Sequence, residues 1–126
     1  MSDSDNIYEE EKESIVLPED ENPFRNELKF QSNVKLGLTG TVTALEPDRA
    51  KTKFHTSNEM VADSEGLIYS GFIFMAANYA ALASINTPNG VVIASRINFF
   101  APTKLGEIIE FDAKAHFGES KKREVR

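Results

Sequence analysis

The sequence lacks several features that would point to particular classes of protein. It has no cysteine in 126 residues, which excludes disulfides, thiolate catalysis and cysteine-bound zinc or iron–sulfur sites and fits a reducing compartment. Its start, MSDSDNIYEEEK, lacks the basic and then apolar pattern of a secretory signal, so we expect a cytoplasmic protein. No basic stripe with interleaved aromatic residues occurs, so we expect no nucleic-acid partner.

Acidic residues are concentrated at the start of the chain. Residues 1–22 contain nine acids against Lys12 alone, a net charge of −8, whereas the whole chain carries −6, so the other 104 residues sum to +2. A segment this acidic and this poor in apolar residues cannot bury enough surface to offset its ordering entropy. We predict an acidic arm over residues 1–22, either disordered or forming a short helix against a partner subunit, and one domain over residues 23–126.

Alternating apolar residues predict a β-hairpin early in that domain. In LTGTVTALEPDRAKTKFHTS, residues 38–57, two alternating runs flank the turn residues EPDR. Before the hairpin, Asn22 and Pro23 are typical of a helix start, but LKFQSNVKL fits an extended chain equally well. Further strands are predicted in VVIASRINFF (91–100), EIIEFDAKAHFG (107–118) and SKKREVR (120–126).

The most informative stretch is a helix without charge. Residues 70–85 read SGFIFMAANYAALASI, with apolar side chains on every face. Such a helix lies in a membrane or inside protein. This run is shorter than the ~20 strongly apolar residues of a membrane span and contains Asn78 and Ser84, so we expect no membrane contact. The predicted fold class is α+β, an antiparallel β-sheet wrapped around one long central helix.

Two segments together carry a family resemblance. The run from Gly66 through the helix, followed by SRINFFAPTKLGEIIEFDAKA, resembles the hotdog-fold acyl-CoA thioesterase superfamily. Its second half is a Phe-x-Ala-Pro-x-x-x-Gly-Glu turn, present as Phe99 to Glu107. The resemblance covers roughly Leu38 to Arg126. It implies a hotdog fold, a homodimer or higher oligomer whose subunits share one sheet, and an acyl-CoA ligand, with coenzyme A as part of the ligand and no separate cofactor. Hotdog domains usually continue for another strand, so we expect the sheet to lack its last strand.

The resemblance is nearest to the phenylacetate-type branch of that superfamily. There the turn before the helix reads Gly-x-Val-His-Gly-Gly, and an aspartate follows on the helix seven residues after the second glycine. The chain keeps this frame and changes three of its chemical groups: histidine becomes Tyr69, the first glycine becomes Ser70, and the aspartate becomes Asn78. The positions in register are Gly66, Ile68, Tyr69, Ser70, Gly71 and Asn78.

These changes determine which residues could hydrolyse a thioester. Hydrolysis needs a donor for the developing oxyanion, a role that the resemblance gives to the Gly71 backbone N–H at the helix start. It also needs a carboxylate to attack or to activate water, and Asn78 can only orient a water or carbonyl. Asp63 is the first candidate for this role and Glu65 the second. The competing interpretation is that both simply form or decorate a turn, because aspartate readily bonds its own backbone.

Cations are candidates for the coenzyme A phosphates. Arg96 and Lys104 come first, and Arg96 interrupts an apolar strand where a charge would be costly if buried unpaired. A second basic cluster lies near the end of the sequence, at Lys121, Lys122 and Arg123. Ordinary surface solvation explains each of these cations equally well.

The remaining candidates are polar groups near the helix start and the two histidines. Tyr69 and Ser70 are predicted to contact substrate, although Ser70 fits a helix N-cap better than a nucleophile. His55 and His116 are far apart in sequence, so no metal site is predicted.

Two functions from different classes follow. The first is a homodimeric acyl-CoA thioesterase that uses Asp63, or else Glu65, with Gly71 and Asn78. The second is a non-catalytic acyl-CoA or acyl-chain binding module that kept the pocket and lost the base, a change that Asn78 would allow. A scaffold without activity is a third interpretation, since a fold does not determine a function.

Overall fold

The described part of the chain forms one antiparallel sheet and one long helix. A computed structural model describes residues 24, 27–30, 34–117 and 122–126. Its strands are β1 (Thr41–Glu46), β2 (Arg49–His55), β3 (Ile108–Phe117) and β4 (Arg123–Val125), and its helices are α1 (Leu36–Thr39), a 3₁₀ turn (Asn58–Met60) and α2 (Ser70–Ile85). The predicted acidic arm, Lys121 and most of the proposed helix after Pro23 lie outside these residues.

The four strands follow one another in the sheet in the order β1-β2-β3-β4, each antiparallel to the next. The predicted hairpin is confirmed, with a register irregularity between Val42 and Ala44. Asp48 in its turn has φ 63°, a left-handed conformation that aspartate tolerates. The α+β class is therefore confirmed, with the sheet built from residues that alternate along each strand.

The outer face of the sheet carries opposite charges on neighbouring strands. Arg49 donates to Asp112 through Nε (3.2 Å) and Nη2 (3.0 Å), and this pair lowers the pKa of the Asp112 carboxyl. Lys53 Nζ lies 3.9 Å from Glu110 Oε1, and the two residues are directly opposite each other on β2 and β3. These partners are well exposed, so they mark the face that water covers and add little stability.

The inner face of the sheet packs on α2. Ala50, Thr52 and Phe54 alternate as buried residues along β2. Small residues on the helix allow close approach, because Ala76, Ala80 and Ala83 are almost completely buried. Tyr79 packs on Phe30, with ring centroids 5.2 Å apart. The buried core consists of two clusters. The first contains Phe30, Val42, Ala50, Tyr79, Leu82 and Ala83, and the second contains Phe54, Met60, Ile68 and Ala76.

Asn86 ends the helix. It adopts a left-handed conformation (φ 54°), and its N–H donates to the Leu82 carbonyl at 2.8 Å. Its side chain also accepts a bond from Lys29 N–H (2.8 Å) and donates to the Glu27 carbonyl (2.9 Å). The predicted helix bounds are therefore confirmed, and the C-cap also holds residues 27–29 against the helix end.

One predicted strand is absent from the sheet. Residues 91–100 form no strand, and all ten are exposed. The strand is predicted from β-branched and aromatic residues, which reflect only the β-propensity of the segment. A strand also needs a neighbouring strand to pair with. No described segment supplies that neighbour.

The helices of the described residues are all too short or too polar to cross a membrane. The longest, α2, has 16 residues.

A buried hydroxyl in β2 leads to the first prediction. Thr52 is 1% exposed, and its Oγ1 has no hydrogen-bond partner among the described residues. A buried polar atom without a partner destabilises the folded state, so Thr52→Val should raise the free energy of unfolding by about 1 kcal/mol. Urea denaturation measures the change. Thr43→Val, at an exposed β1 position, is the matched control. Destabilisation by Thr52→Val would mean that the hydroxyl has a partner in solution.

The second prediction concerns the dependence of stability on pH. Burial, assisted by the charge of Lys53, lowers the pKa of His55 below its ordinary value of 6.5. As pH falls below 6.5, His55 becomes protonated in the unfolded chain before it does so in the folded chain. The free energy of unfolding therefore decreases until the pH has fallen below the pKa of His55 in the folded chain. The free energy of unfolding should therefore be smaller at about pH 5.5 than at about pH 7.5. In His55→Gln that difference should shrink. An unchanged difference would remove His55 as its source.

Candidate functional site

Two turns that are far apart in the sequence lie side by side at one end of α2. Leu105 N–H donates to the Gly66 carbonyl at 2.8 Å, and Ile68 N–H donates to the Thr103 carbonyl at 2.8 Å. Leu67 and Lys104 are thereby paired in antiparallel fashion. The structure thus brings together the two halves of the sequence signature, the turn before the helix and the turn within residues 99–107.

The first turn is organised by the carboxylate of Asp63. Asp63 Oδ1 accepts hydrogen bonds from Glu65 N–H (3.0 Å) and Leu67 N–H (3.1 Å). Gly66 has φ 79°, a conformation that favours glycine, and Ala62 N–H donates to the Leu67 carbonyl at 2.7 Å. The side chains of Asp63 and Glu65 in this turn are exposed to solvent. The interpretation of Asp63 as a turn-forming residue is therefore supported, while one carboxylate oxygen makes no bond to another described residue.

The second turn is fastened to the end of β2 by Thr56, a residue that the sequence analysis did not select. Thr56 Oγ1 donates to the Glu107 carbonyl (2.8 Å) and accepts from Gly106 N–H (2.9 Å). Lys104 N–H donates to the Glu107 carboxylate at 2.7 Å, which closes the turn. A threonine in an alternating strand pattern gives no sequence signal for such a role, because its partners lie about fifty residues away.

The start of α2 presents free backbone donors. Tyr69, with extended backbone, occupies the N-cap position, so the interpretation of Ser70 as the N-cap is wrong by one residue. Tyr69 N–H donates to the Met60 carbonyl at 2.8 Å, whereas the N–H groups of Ser70 and Gly71 make no hydrogen bond to another described residue. Unpaired N–H groups at a helix start favour an anion or a carbonyl oxygen.

The side chain of Tyr69 packs against the first turn of α2. Its ring lies over Gly71, where a Cβ atom on the glycine would come within 2.6 Å of Tyr69 Cε2, and it packs edge-on against Phe72. The side chain is 60% exposed, so the ring lies at the surface above the helix start. Glycine at position 71 is required for this arrangement, because any side chain would displace the ring.

Asn78 lies on the same side of α2 as Gly71. Seven residues make about two helical turns, and the outer row continues with spacings of three and four residues. Every member of this row is only partly buried: Gly71, Phe74, Asn78, Ala81 and Ile85. The helix therefore keeps one uncharged face that its own sheet does not fully cover.

The two predicted phosphate-binding cations differ in position. Lys104 lies in the second turn, beside Leu67, and is exposed. Arg96 is exposed on segment 91–100, and no described contact joins it to either turn. Within the same described residues, no three His, Asp or Glu side chains are grouped as metal ligands would be.

Comparison with known proteins identifies the type of fold. No protein-family model matches the chain. A stretch of 99 residues is 30% identical to methylthioribose-1-phosphate isomerase of Aquifex aeolicus, and the chain spans only 22% of that protein.

Solved structures extend the comparison. The sigma28-regulated virulence protein Cj0977 of Campylobacter jejuni is 47% identical, with TM-score 0.77 and coverage of 80% of this chain and 78% of that one. A mutant of the phenylacetic acid degradation protein PaaI from Thermus thermophilus is 25% identical, with TM-score 0.56 and coverage of 71% and 81%. A hypothetical thioesterase from Streptococcus pneumoniae, solved with coenzyme A, shares the fold at 16% identity and TM-score 0.55, with 62% coverage of each chain. The suspected hotdog fold is confirmed.

The third prediction tests the role of Asp63 in the first turn. Asp63→Ala removes the acceptor for two backbone N–H groups and should lower the free energy of unfolding by about 0.5–1 kcal/mol, a modest figure because the turn is exposed. Asp63→Asn keeps an acceptor oxygen in the same place and should therefore lower the free energy of unfolding by a smaller amount. Chemical denaturation of the three proteins measures this. Equal stability of Asp63→Ala and the unmodified chain would contradict the turn-forming role.

Proposed function

We propose that this chain, which has the hotdog fold that solved thioesterases share, binds acyl-CoA thioesters at the start of α2, at a homodimer interface. The main support is the pair of N–H groups at Ser70 and Gly71, which make no hydrogen bond to another described residue at the helix start that follows the first turn. A thioester carbonyl oxygen matches such donors in charge and in hydrogen bonding. The coenzyme A bound to the pneumococcal thioesterase lends further support at the level of the fold.

Around this carbonyl, other predicted residues have defined tasks. Asn78, on the same helix face as Gly71, orients the thioester or a water through its amide. Tyr69 and Ser70 contact the substrate beside these donors, and Lys104, which is paired with Leu67 in the neighbouring turn, binds a phosphate of coenzyme A. Arg96 is the second candidate cation for these phosphates, on the exposed segment 91–100.

Hydrolysis adds one requirement, a base. In the proposed reaction Asp63 takes a proton from water while the water oxygen attacks the thioester carbonyl carbon, and the Gly71 N–H stabilises the oxyanion. Collapse of the intermediate breaks the carbon–sulfur bond, and the departing thiolate receives the proton from Asp63. Glu65 is the second candidate for this base. Asp63 Oδ2, which makes no hydrogen bond to another described residue, is the atom that would accept the proton.

Binding without hydrolysis is a second candidate function, and two observations favour it. The Asp63 Oδ1 atom is already engaged by two backbone N–H groups. Asn78 stands where the related branch has an aspartate, and an amide does not accept a proton near pH 7. The two functions share the fold, the dimer and the ligand and differ only in turnover.

The fourth prediction separates these functions by assaying acyl-CoAs from acetyl to palmitoyl with a thiol-detecting reagent. The chain has no cysteine, so released coenzyme A is the only source of thiol. If Asp63 is the base, Asp63→Asn should lower kcat by about 10² or more with little change in binding, because it keeps the turn and removes the base. Glu65→Gln is the matched control.

Calorimetric titration with the same ligands completes the test. Binding with no turnover would assign the non-catalytic function. A loss of activity in Glu65→Gln instead would make Glu65 the base. Neither binding nor turnover with any acyl-CoA would contradict the proposed function.

A further inference from the structure

The turn that follows α2 contains an asparagine directly before a glycine. Pro88 and Asn89 form this turn just beyond Asn86, the C-cap of the helix, and the Asn89 side chain is exposed to solvent. Proline and asparagine suit a turn, because proline fixes its own φ and asparagine tolerates the bend. Asn89 is the only asparagine in the chain that precedes a glycine.

The backbone nitrogen of Gly90 is unusually accessible to the side chain before it. Glycine has no Cβ, so no side chain shields this nitrogen. Among the described residues, neither the Gly90 N–H nor the Asn89 side-chain amide has a hydrogen-bond partner. The turn therefore lacks the bond that often closes a β-turn. Residues 91–100 make no backbone hydrogen bond to another described residue either, so no described bond holds the peptide plane in place from that side.

We propose that Asn89 and Gly90 form a site of spontaneous deamidation, which converts a neutral turn into an acidic one. The Gly90 nitrogen loses its proton and forms a bond to Asn89 Cγ. The bond between Cγ and Nδ2 then breaks, and Nδ2 leaves with that proton as ammonia. A succinimide ring remains, formed by Asn89 and the Gly90 nitrogen. The only co-reactant is water, which opens the ring in the next step.

The two ways of opening the ring give different products. Attack of water at Cγ breaks its bond to the Gly90 nitrogen and yields aspartate at position 89. Attack at the backbone carbonyl carbon breaks the other bond to the same nitrogen and yields isoaspartate, in which the main chain runs through the former side chain. Each product consumes one water, releases one ammonia and adds one negative charge to the chain, and no atom is oxidised or reduced.

The position of the turn gives this modification an effect on the fold. The new carboxylate lies three residues beyond Asn86, close to the C-terminal end of α2. That end of a helix already carries a partial negative charge, so a further negative charge there is unfavourable. Isoaspartate also inserts a methylene group into the backbone immediately before the exposed segment 91–100, which changes the direction in which the segment leaves the turn.

Four other described asparagines provide comparisons within the same chain. Asn58 begins the 3₁₀ turn, Asn78 lies inside α2, and the Asn86 side chain is held by bonds with Lys29 N–H and the Glu27 carbonyl. Asn98 is exposed in a segment without regular structure, as Asn89 is exposed in its turn, but it precedes Phe99. Asn98 is therefore the matched control, since it differs from Asn89 mainly in the residue that follows.

Peptide mass spectrometry of the folded, unmodified chain tests the proposal. After incubation, trypsin releases residues 54–96 as one peptide that contains Asn89 and three of the comparison asparagines, and residues 97–104 as another that contains Asn98. Each conversion adds about 1 Da, and fragmentation shows which asparagine has reacted. Asn89 should react at least about ten times faster than the other four, because only its neighbour lacks a side chain. Aspartate and isoaspartate should both be found.

The reaction at Asn89 should also depend on pH. It begins with loss of a proton from the Gly90 nitrogen, so it should be faster at about pH 8 than at about pH 6.

A variant of the neighbour tests the attacking atom. In Gly90→Ala the added Cβ would lie 3.1 Å from Thr87 Oγ1, a side-chain atom that can rotate away, so the variant should keep the fold as judged by circular dichroism. The methyl group hinders the nitrogen and should slow the reaction at Asn89 about tenfold. Asn89→Gln is the second variant, since it keeps an amide but would require a larger ring and should react more slowly still.

Three results would overturn the inference. Equal rates at Asn89 and Asn98 would mean that exposure alone explains the reaction. An unchanged rate in folded Gly90→Ala would exclude attack by the Gly90 nitrogen. Absence of reaction at Asn89 at the higher pH would show that the turn holds the amide away from that nitrogen. If Gly90→Ala does not fold, the comparison of Asn89 with Asn98 in the unmodified chain still decides the question.

Discussion

The structure depends on covering a helix that has no face suited to water. Helix α2 has 16 residues without a charge, and its burial is driven by apolar area removed from solvent. The inner face of the sheet covers one side, where Ala76, Ala80 and Ala83 let the helix approach closely. The row through Phe74, Asn78 and Ile85 on the other side stays partly open in a single chain. The exposed segment 91–100 is a second surface that the described sheet does not cover.

The candidate site is a consequence of how α2 begins. The turn at Asp63–Gly66 delivers the chain to the helix, and its hydrogen bonds with residues 103–105 hold it beside a second turn that Thr56 anchors to β2. Backbone hydrogen bonds thus join the two turns, and the side chains of Asp63 and Thr56 hold each turn in place. The chemical groups are few: two N–H donors, one amide and two exposed acids. The described groups therefore offer more donors to hold a carbonyl than bases to activate water.

Local features of the sequence were sufficient for much of the fold. The EPDR turn and the uncharged run between two turn-forming segments placed the hairpin and the helix at their observed positions. The composition of residues 91–100 predicts a strand, but a strand needs a partner, and pairing is a non-local property. The family resemblance, by its register, points to Gly66 and Gly71. The anchor at Thr56 and the contact between the two turns have no such signal, since their partners lie far apart in sequence.

The most direct test of the central claim, that the start of α2 holds an acyl-CoA carbonyl, is a nuclear magnetic resonance titration. The backbone amide resonances of the labelled chain would be followed while a non-hydrolysable thioether or ketone analogue of an acyl-CoA is added. Ser70 and Gly71 should show the largest shifts when the analogue keeps the carbonyl, and smaller ones when it lacks it, because their N–H groups acquire an acceptor. Binding that leaves both resonances unmoved while others shift would contradict the account and place the ligand elsewhere.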